Sequence, residues 1–136
     1  MNNETISMLI QKANDARANS YCPYSNFAVG AALLCADGTI YTGANIENAS
    51  YTPTICAERV AFFQAVHQGH SDFTAIAIVG GSKGADIDAL CTPCGVCRQV
   101  MSEFCKGDFK ILLSDGKDIG VFTLDDMLPH RFSLDN

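Results

Sequence analysis

The stretch Cys56-Ala57-Glu58-Arg59-Val60-Ala61-Phe62-Phe63-Gln64-Ala65-Val66-His67-Gln68-Gly69, followed three residues later by Phe73-Thr74-Ala75-Ile76-Ala77-Ile78-Val79, decides the reading of this chain. The first part is a helix from Cys56 to Gln68, closed by Gly69. Its apolar residues Val60, Ala61, Phe62, Phe63, Ala65 and Val66 wrap nearly all round the axis, which predicts burial on several sides. The second part is a continuous apolar run of strand length, expected inside a sheet covered on both faces. A helix feeding such a strand points to an α/β protein.

Working outward, Phe27 to Cys35 reads as a strand and Thr39 to Ile46 as its hairpin partner across Ala36-Asp37-Gly38. A two-residue Asp37-Gly38 turn would pair Gly30 with Asn45. A three-residue loop with Gly38 left-handed pairs Val29 with Asn45 and Phe27 with Glu47 instead, and it is the register expected here. Before the hairpin, Ile6, Leu9, Ile10 and Ala13 recur at helical spacing, predicting a helix over 4–19 with Asn3 as N-cap. After Val79 a flexible loop is expected over 80–88, then a helix from near Cys94 to Phe104. Strands over 109–114 and 119–122 follow, with a last short helix capped by Thr123 and Asp126 and ending before Pro129. The resulting fold class is α/β: one domain over residues 1–136, with a mixed β-sheet of about five strands covered by helices.

At 136 residues, 48 % apolar and 18 % charged, the chain can build a core without disulfide staples. Met1-Asn2-Asn3-Glu4 lacks a basic n-region and an apolar h-region, so no secretory leader is expected. No apolar run reaches the ~18 residues of a membrane span. These readings predict a cytoplasmic protein with no membrane partner. Seven cysteines, an odd number, suit reduced thiols and metal ligands. The net charge is −6 and the nine Lys and Arg residues are scattered, which argues against a nucleic-acid partner.

Cys94 and Cys97 stand two residues apart, the spacing with which two thiolates grip one tetrahedral zinc. Cys56 opens the earlier helix, and both helix starts favour thiolate over thiol. Glu58 beside Cys56 suits a hydrolytic site, where a proton must be taken from water and returned. Three thiolates leave zinc with a net negative charge, which Arg59, and less readily Arg98, would offset by donating to the sulfurs. The competing arrangement adds Cys91 to Cys56, Cys94 and Cys97 in a closed structural site. Cys22, Cys35 and Cys105 read as core residues or unused thiols, and His67, His70 and His130 have no ligand spacing with one another or with the cysteines.

These residues resemble the zinc-dependent cytidine deaminases, in their short homotetrameric nucleoside-specific branch. The resemblance is carried by Tyr21-x-Pro23-Tyr24-Ser25-x-Phe27-x-Val29-Gly30-Ala31-Ala32, Gly43-x-Asn45-Ile46-Glu47-Asn48, Tyr51, Cys56-Ala57-Glu58-Arg59 and Pro93-Cys94-Gly95-x-Cys97-Arg98-Gln99. It implies a three-layer α/β/α fold and one zinc per chain held by Cys56, Cys94 and Cys97. It also implies the established chemistry of zinc deaminases, in which Glu58 shuttles protons while water replaces the 4-amino group of cytosine. By the same resemblance Asn45 and Glu47 bind the sugar hydroxyls, Phe27 packs on the nucleoside and the backbone at Ala57 reads the base edge. Phe132 matches a C-terminal Phe that reaches a neighbouring subunit's site in a homotetramer with shared active sites. The implied reaction is hydrolysis of cytidine and 2′-deoxycytidine to uridine and 2′-deoxyuridine with release of ammonia, in pyrimidine salvage. Two other readings stay open: a zinc-stabilised interaction module without activity, and a deaminase of another cytosine-bearing compound such as a nucleoside antibiotic.

Overall fold

The computed structural model describes residues 1–134. Helix α1 (Asn3–Ala16) runs through a 3₁₀ turn (Arg17–Asn19) towards β1 (Phe27–Cys35) and β2 (Ile40–Ala44). Then come α2 (Ala57–His67), β3 (Phe73–Ser82), α3 (Gly95–Phe104), β4 (Lys110–Ser114), β5 (Ile119–Thr123) and α4 (Leu124–Met127). The five strands form one sheet in the order β2-β1-β3-β4-β5. Only β3 and β4 run parallel; the other neighbours are antiparallel.

The sheet carries helices on both faces because its central strands are apolar on both sides over 27–35, 75–79 and 111–113. Leu9 and Ala13 of α1 pack on Ala32, Ala75, Ala77, Val79 and Leu112. The alternate residues Ala31, Leu33, Ile76, Ile78, Ile111 and Leu113 meet Ala57, Ala61, Phe62 and Ala65 of α2 and Met101 of α3. This period-two split of one strand between two cores is what a three-layer sandwich requires. Helix α2 is buried on fewer sides than expected, because Phe63 and Val66 are exposed.

Element boundaries differ from the sequence reading where backbone pairing outweighed composition. Asn2 rather than Asn3 caps α1, its Oδ1 accepting from Thr5 N at 2.8 Å. Gly80 and Gly81, expected in a loop, extend β3, because the nine-residue β1 offers ladder partners at Val29 and Ala28. The hairpin register is the predicted one. Leu34 pairs with Ile40 and Gly30 with Ala44, Asn45 N donates to Val29 O, and Gly38 has φ +92°. Phe27 and Glu47 do not pair, however. The chain leaves β1 after Asn45, and Glu47 N donates to Tyr21 O instead.

One glycine sets the depth of α2. A Cβ on Gly43 would lie 2.4 Å from Ala57 O and 2.8 Å from Ala61 N, so β2 and the first turns of α2 touch backbone to backbone. Gly43→Ala is expected to cost about 1–3 kcal/mol in urea unfolding, because it displaces the first turns of α2. Unchanged stability would show that the two backbones do not meet so closely.

Candidate metal centre and catalytic site

Two helix starts converge at the site. Cys56 and Cys94 are the N-cap residues of α2 and α3, both extended, and neither sulfur makes a capping hydrogen bond. The sulfurs can therefore turn towards each other. Cys56 Sγ and Cys94 Sγ are 3.7 Å apart, and with Cys97 Sγ all three lie within 4.8 Å of one another. Three sulfurs placed ~2.3 Å from one tetrahedral ion would be about 3.8 Å apart, so the donor set fits zinc without backbone rearrangement. Cys91 is not part of this group. It packs against the core, and burial pushes its thiol up to about 11.

Among the protein groups, the Cys97 thiol is the main influence drawing Cys56 down to about 5, with Arg59 and Cys94 assisting against burial. Arg59 Nη2 lies 3.4 Å from Cys56 Sγ. Its Nε is buried without a hydrogen-bond partner among the described residues, so a donor is held beside the sulfurs. Arg98 behaves otherwise. Its guanidinium donates to Pro93 O at 2.7 Å and to Met127 O, tying the loop before α3 to α4 rather than neutralising sulfur.

Glu58 follows Cys56 by two residues and is 4 % exposed. Burial, with a smaller push from Cys56, raises its carboxyl to about 7. A group that must accept and return a proton near neutral pH works best with such an acidity. Ala57, fully buried, is the first helical residue, whose N–H has no intrahelical acceptor.

The opposite wall comes from a backbone bridge. Ile46 and Ile55 exchange both of their N–H···O bonds at 3.0 Å, so the residue before Cys56 is stapled to the residue between Asn45 and Glu47. Asn45 is buried. Its Oδ1 accepts from Val29 N at 2.9 Å and from Ser20 Oγ at 2.6 Å, and its Nδ2 donates to Phe27 O at 2.9 Å. One amide hydrogen is left for a ligand. The Glu47 carboxylate accepts from Tyr24 N at 2.9 Å, Ser25 N at 3.1 Å and the Ser25 hydroxyl. The Ser25 hydroxyl leads in holding Glu47 below the usual carboxylate range. Ser25 Oγ also accepts from Phe27 N at 3.0 Å, linking Glu47 to the first residue of β1. Phe27 is 42 % exposed; a Cβ on Gly80 would lie 2.9 Å from its ring. Phe132 is 66 % exposed and lies beside Gln99, Ser102 and Glu103 of α3.

Sequence reasoning did not single out Ser20 as the partner of Asn45 or Ser25 as the partner of Glu47, because each contact joins residues distant in sequence. It also missed Arg17, which is buried and donates to Ala28 O, Ser82 O and Ala85 O. An arginine near a helix end carries no one-dimensional signal of that kind. A surface cavity between Ile10, Asn14 and the Asp115-Gly116 turn is lined by none of the cysteines.

The family model for the cytidine and deoxycytidylate deaminase zinc-binding region matches residues 3–113. The chain belongs to this family. Zinc is accordingly its metal, and the cluster of Cys56, Cys94 and Cys97 is a donor set of this family member that fits it. A cytidine deaminase of Sporosarcina psychrophila is 48 % identical over 132 residues, covering 96 % of this chain and 93 % of its own. The crystal structure of cytidine deaminase from Burkholderia pseudomallei matches with a TM-score of 0.84 at 43 % identity, covering 97 % of this chain and all of that one. That from Mycobacterium tuberculosis matches at 0.79 and 39 % identity, over 94 % of this chain and 97 % of that one. These likenesses include the mixed five-stranded sheet with helices on both faces.

Proposed function

We propose that the chain hydrolyses cytidine and 2′-deoxycytidine to uridine and 2′-deoxyuridine with release of ammonia, serving pyrimidine salvage. The observation that carries this reading is the carboxylate of Glu58, buried two residues from a sulfur of the tri-cysteine cluster. In this proposal Cys56, Cys94 and Cys97 hold one zinc. Zinc held there supplies a Lewis acid that makes water nucleophilic at neutral pH.

Glu58 accepts a proton from the attacking water and delivers it to ring N3. It then takes the second proton from the oxygen newly bound to C4 and passes it to the departing amino nitrogen, so water enters, ammonia leaves and no proton is gained or lost. The Ala57 N–H reads the base edge, and Asn45 and Glu47 take the sugar hydroxyls with their remaining donor and acceptor capacity. Phe27 packs against the nucleoside. Arg59 offsets the sulfur charge, while Arg98 steadies the loop bearing Cys94. An anionic Glu47 in the sugar subsite favours a neutral nucleoside over a nucleotide, because a phosphate nearby would meet like charge.

Residues 1–136 act as one catalytic domain in this reading, and the working form is a homotetramer in the cytoplasm. The assembly is supported by the exposed Phe63 and Val66 on α2 and by Phe132, which then reaches a neighbour's site. Among the described residues no helix is long and apolar enough to cross a membrane.

The test follows cytidine loss by ultraviolet absorbance with holoenzyme, after chelation and after zinc is restored, with CMP and a cytosine nucleoside antibiotic alongside. Turnover of cytidine and deoxycytidine that disappears on chelation and returns with zinc is expected, with CMP and the antibiotic poor. Absence of turnover on every compound would favour the inert zinc module, and preference for the antibiotic would displace the salvage reading.

A further inference from the structure

A second group of metal-binding side chains sits at the far end of α2, where β1 turns into β2. Cys35 Sγ, a carboxylate oxygen of Asp37 and a ring nitrogen of His70 all lie within 4.8 Å of one another. His70 thus joins a ligand set that its sequence spacing concealed. We propose that Cys35, Asp37 and His70 form a second, non-catalytic site for a zinc-like divalent ion that clamps the β1–β2 hairpin to the link between α2 and β3.

Each donor is already held by an outer contact that leaves a ligand atom available. Asp37 Oδ1 accepts from Thr39 N at 2.9 Å, and the other oxygen, Oδ2, faces His70 Nε2 at 3.1 Å. The Tyr41 hydroxyl lies 3.1 Å from His70 Nδ1, and the two rings meet edge to face with centroids 5.2 Å apart. In the tautomer whose Nδ1–H donates to the Tyr41 hydroxyl, Nε2 is the nitrogen presented to a metal. Cys35 is held by its backbone, with its N donating to Thr39 O at 2.8 Å and its O accepting from Gly38 N at 3.0 Å. The segment carrying His70 is fixed independently, because His70 N donates to Ala65 O and Ala36 N donates to Asp72 O.

The donor chemistry selects the ion. Sulfur, imidazole and one carboxylate suit zinc or cobalt(II) over magnesium or calcium, which prefer oxygen cages. One thiolate and one carboxylate offset the charge of a divalent cation. A thiol–imidazole nucleophile is a poorer account of the group. Cys35 is only 1 % exposed, so no substrate reaches it. Binding exchanges one proton for the ion as the Cys35 S–H bond gives way to a sulfur–metal bond. The centre near Cys56 lies beyond the other end of the 11-residue α2, a helix of about 16 Å. Occupancy here should therefore leave turnover unchanged.

The test adds cobalt(II) to the zinc-loaded chain and follows near-ultraviolet and visible absorbance, with metal content measured after gel filtration. A thiolate-to-cobalt band saturating at one cobalt per chain is expected, with the original zinc retained, a higher Tm and unchanged kcat. His70→Ala and Asp37→Asn, whose side chains reach the surface and should not disturb folding, are each expected to weaken binding at least tenfold. Tyr41→Phe should weaken it about tenfold through the lost outer contact. The proposal is overturned if no sulfur band develops, or if the band is the same in His70→Ala as in the parent.

Discussion

Glu58→Gln is expected to lower kcat for cytidine by about 10⁴-fold, the upper range for removing a positioned proton carrier, while zinc stays at one per chain. Glutamine keeps the size and can hydrogen-bond, but it cannot take a proton from water and return it to nitrogen. The defect should fall on kcat, because Phe27, Asn45, Glu47 and the Ala57 N–H, which are proposed to hold the nucleoside, keep their places. Parent-like turnover would remove Glu58 from the proton path. The same variant has a stability signature with a definite sign. Burial raises the folded carboxyl from its ordinary value of 4.5 to about 7. The folded state therefore holds a proton that the unfolded state releases as pH rises above 4.5, and stability is lost from there to about pH 7. The full cost, about 3 kcal/mol at 1.36 kcal/mol per pH unit, applies above pH 7. In chelated protein at pH 8, Glu58→Gln should melt above the parent, and the gap should close towards pH 4.5. A gap that widened on acidification would contradict the burial argument.

Cys94→Ala is expected to drop zinc from one per chain to below about a tenth of that and to abolish measurable deamination. Two sulfurs cannot replace the grip of three on an ion that also needs an open position. The fold should survive, since Cys94 is exposed and makes no side-chain cap for α3. Cys91→Ala is the control. Its sulfur lies outside the cluster, so zinc content should stay at one per chain, whereas a closed four-cysteine site would lose metal in both variants. Metal analysis with circular dichroism separates these outcomes.

The order of elements, the hairpin register and the metal motif were legible because each is a local pattern. Period-two burial of Ala31, Leu33 and Cys35 against Ala32 and Leu34 follows from the pleat alone. Gly38, left-handed in the three-residue loop, set the pairing of Val29 with Asn45. The capping box of Thr123 and Asp126 formed as read, with both hydrogen bonds present. Composition misled where pairing was available, as at Gly80 and Gly81. A glycine pair breaks an isolated strand, yet here it completes a ladder that β1 had already laid down.

The sequence alone therefore determined an α/β chain with two helix-opening cysteine motifs, a carboxylate beside one of them and the expectation of zinc. Tertiary structure decided which sulfurs share a centre, that Ser20 and Ser25 brace Asn45 and Glu47, and that Cys35, Asp37 and His70 meet. The physical reason is distance along the chain. Periodicity and caps are settled within a few residues by backbone sterics and solvent. The approach of Cys56 to Cys94, or of Cys35 to His70, depends on strand order and on how deeply α2 seats against Gly43, which only the packed sheet defines.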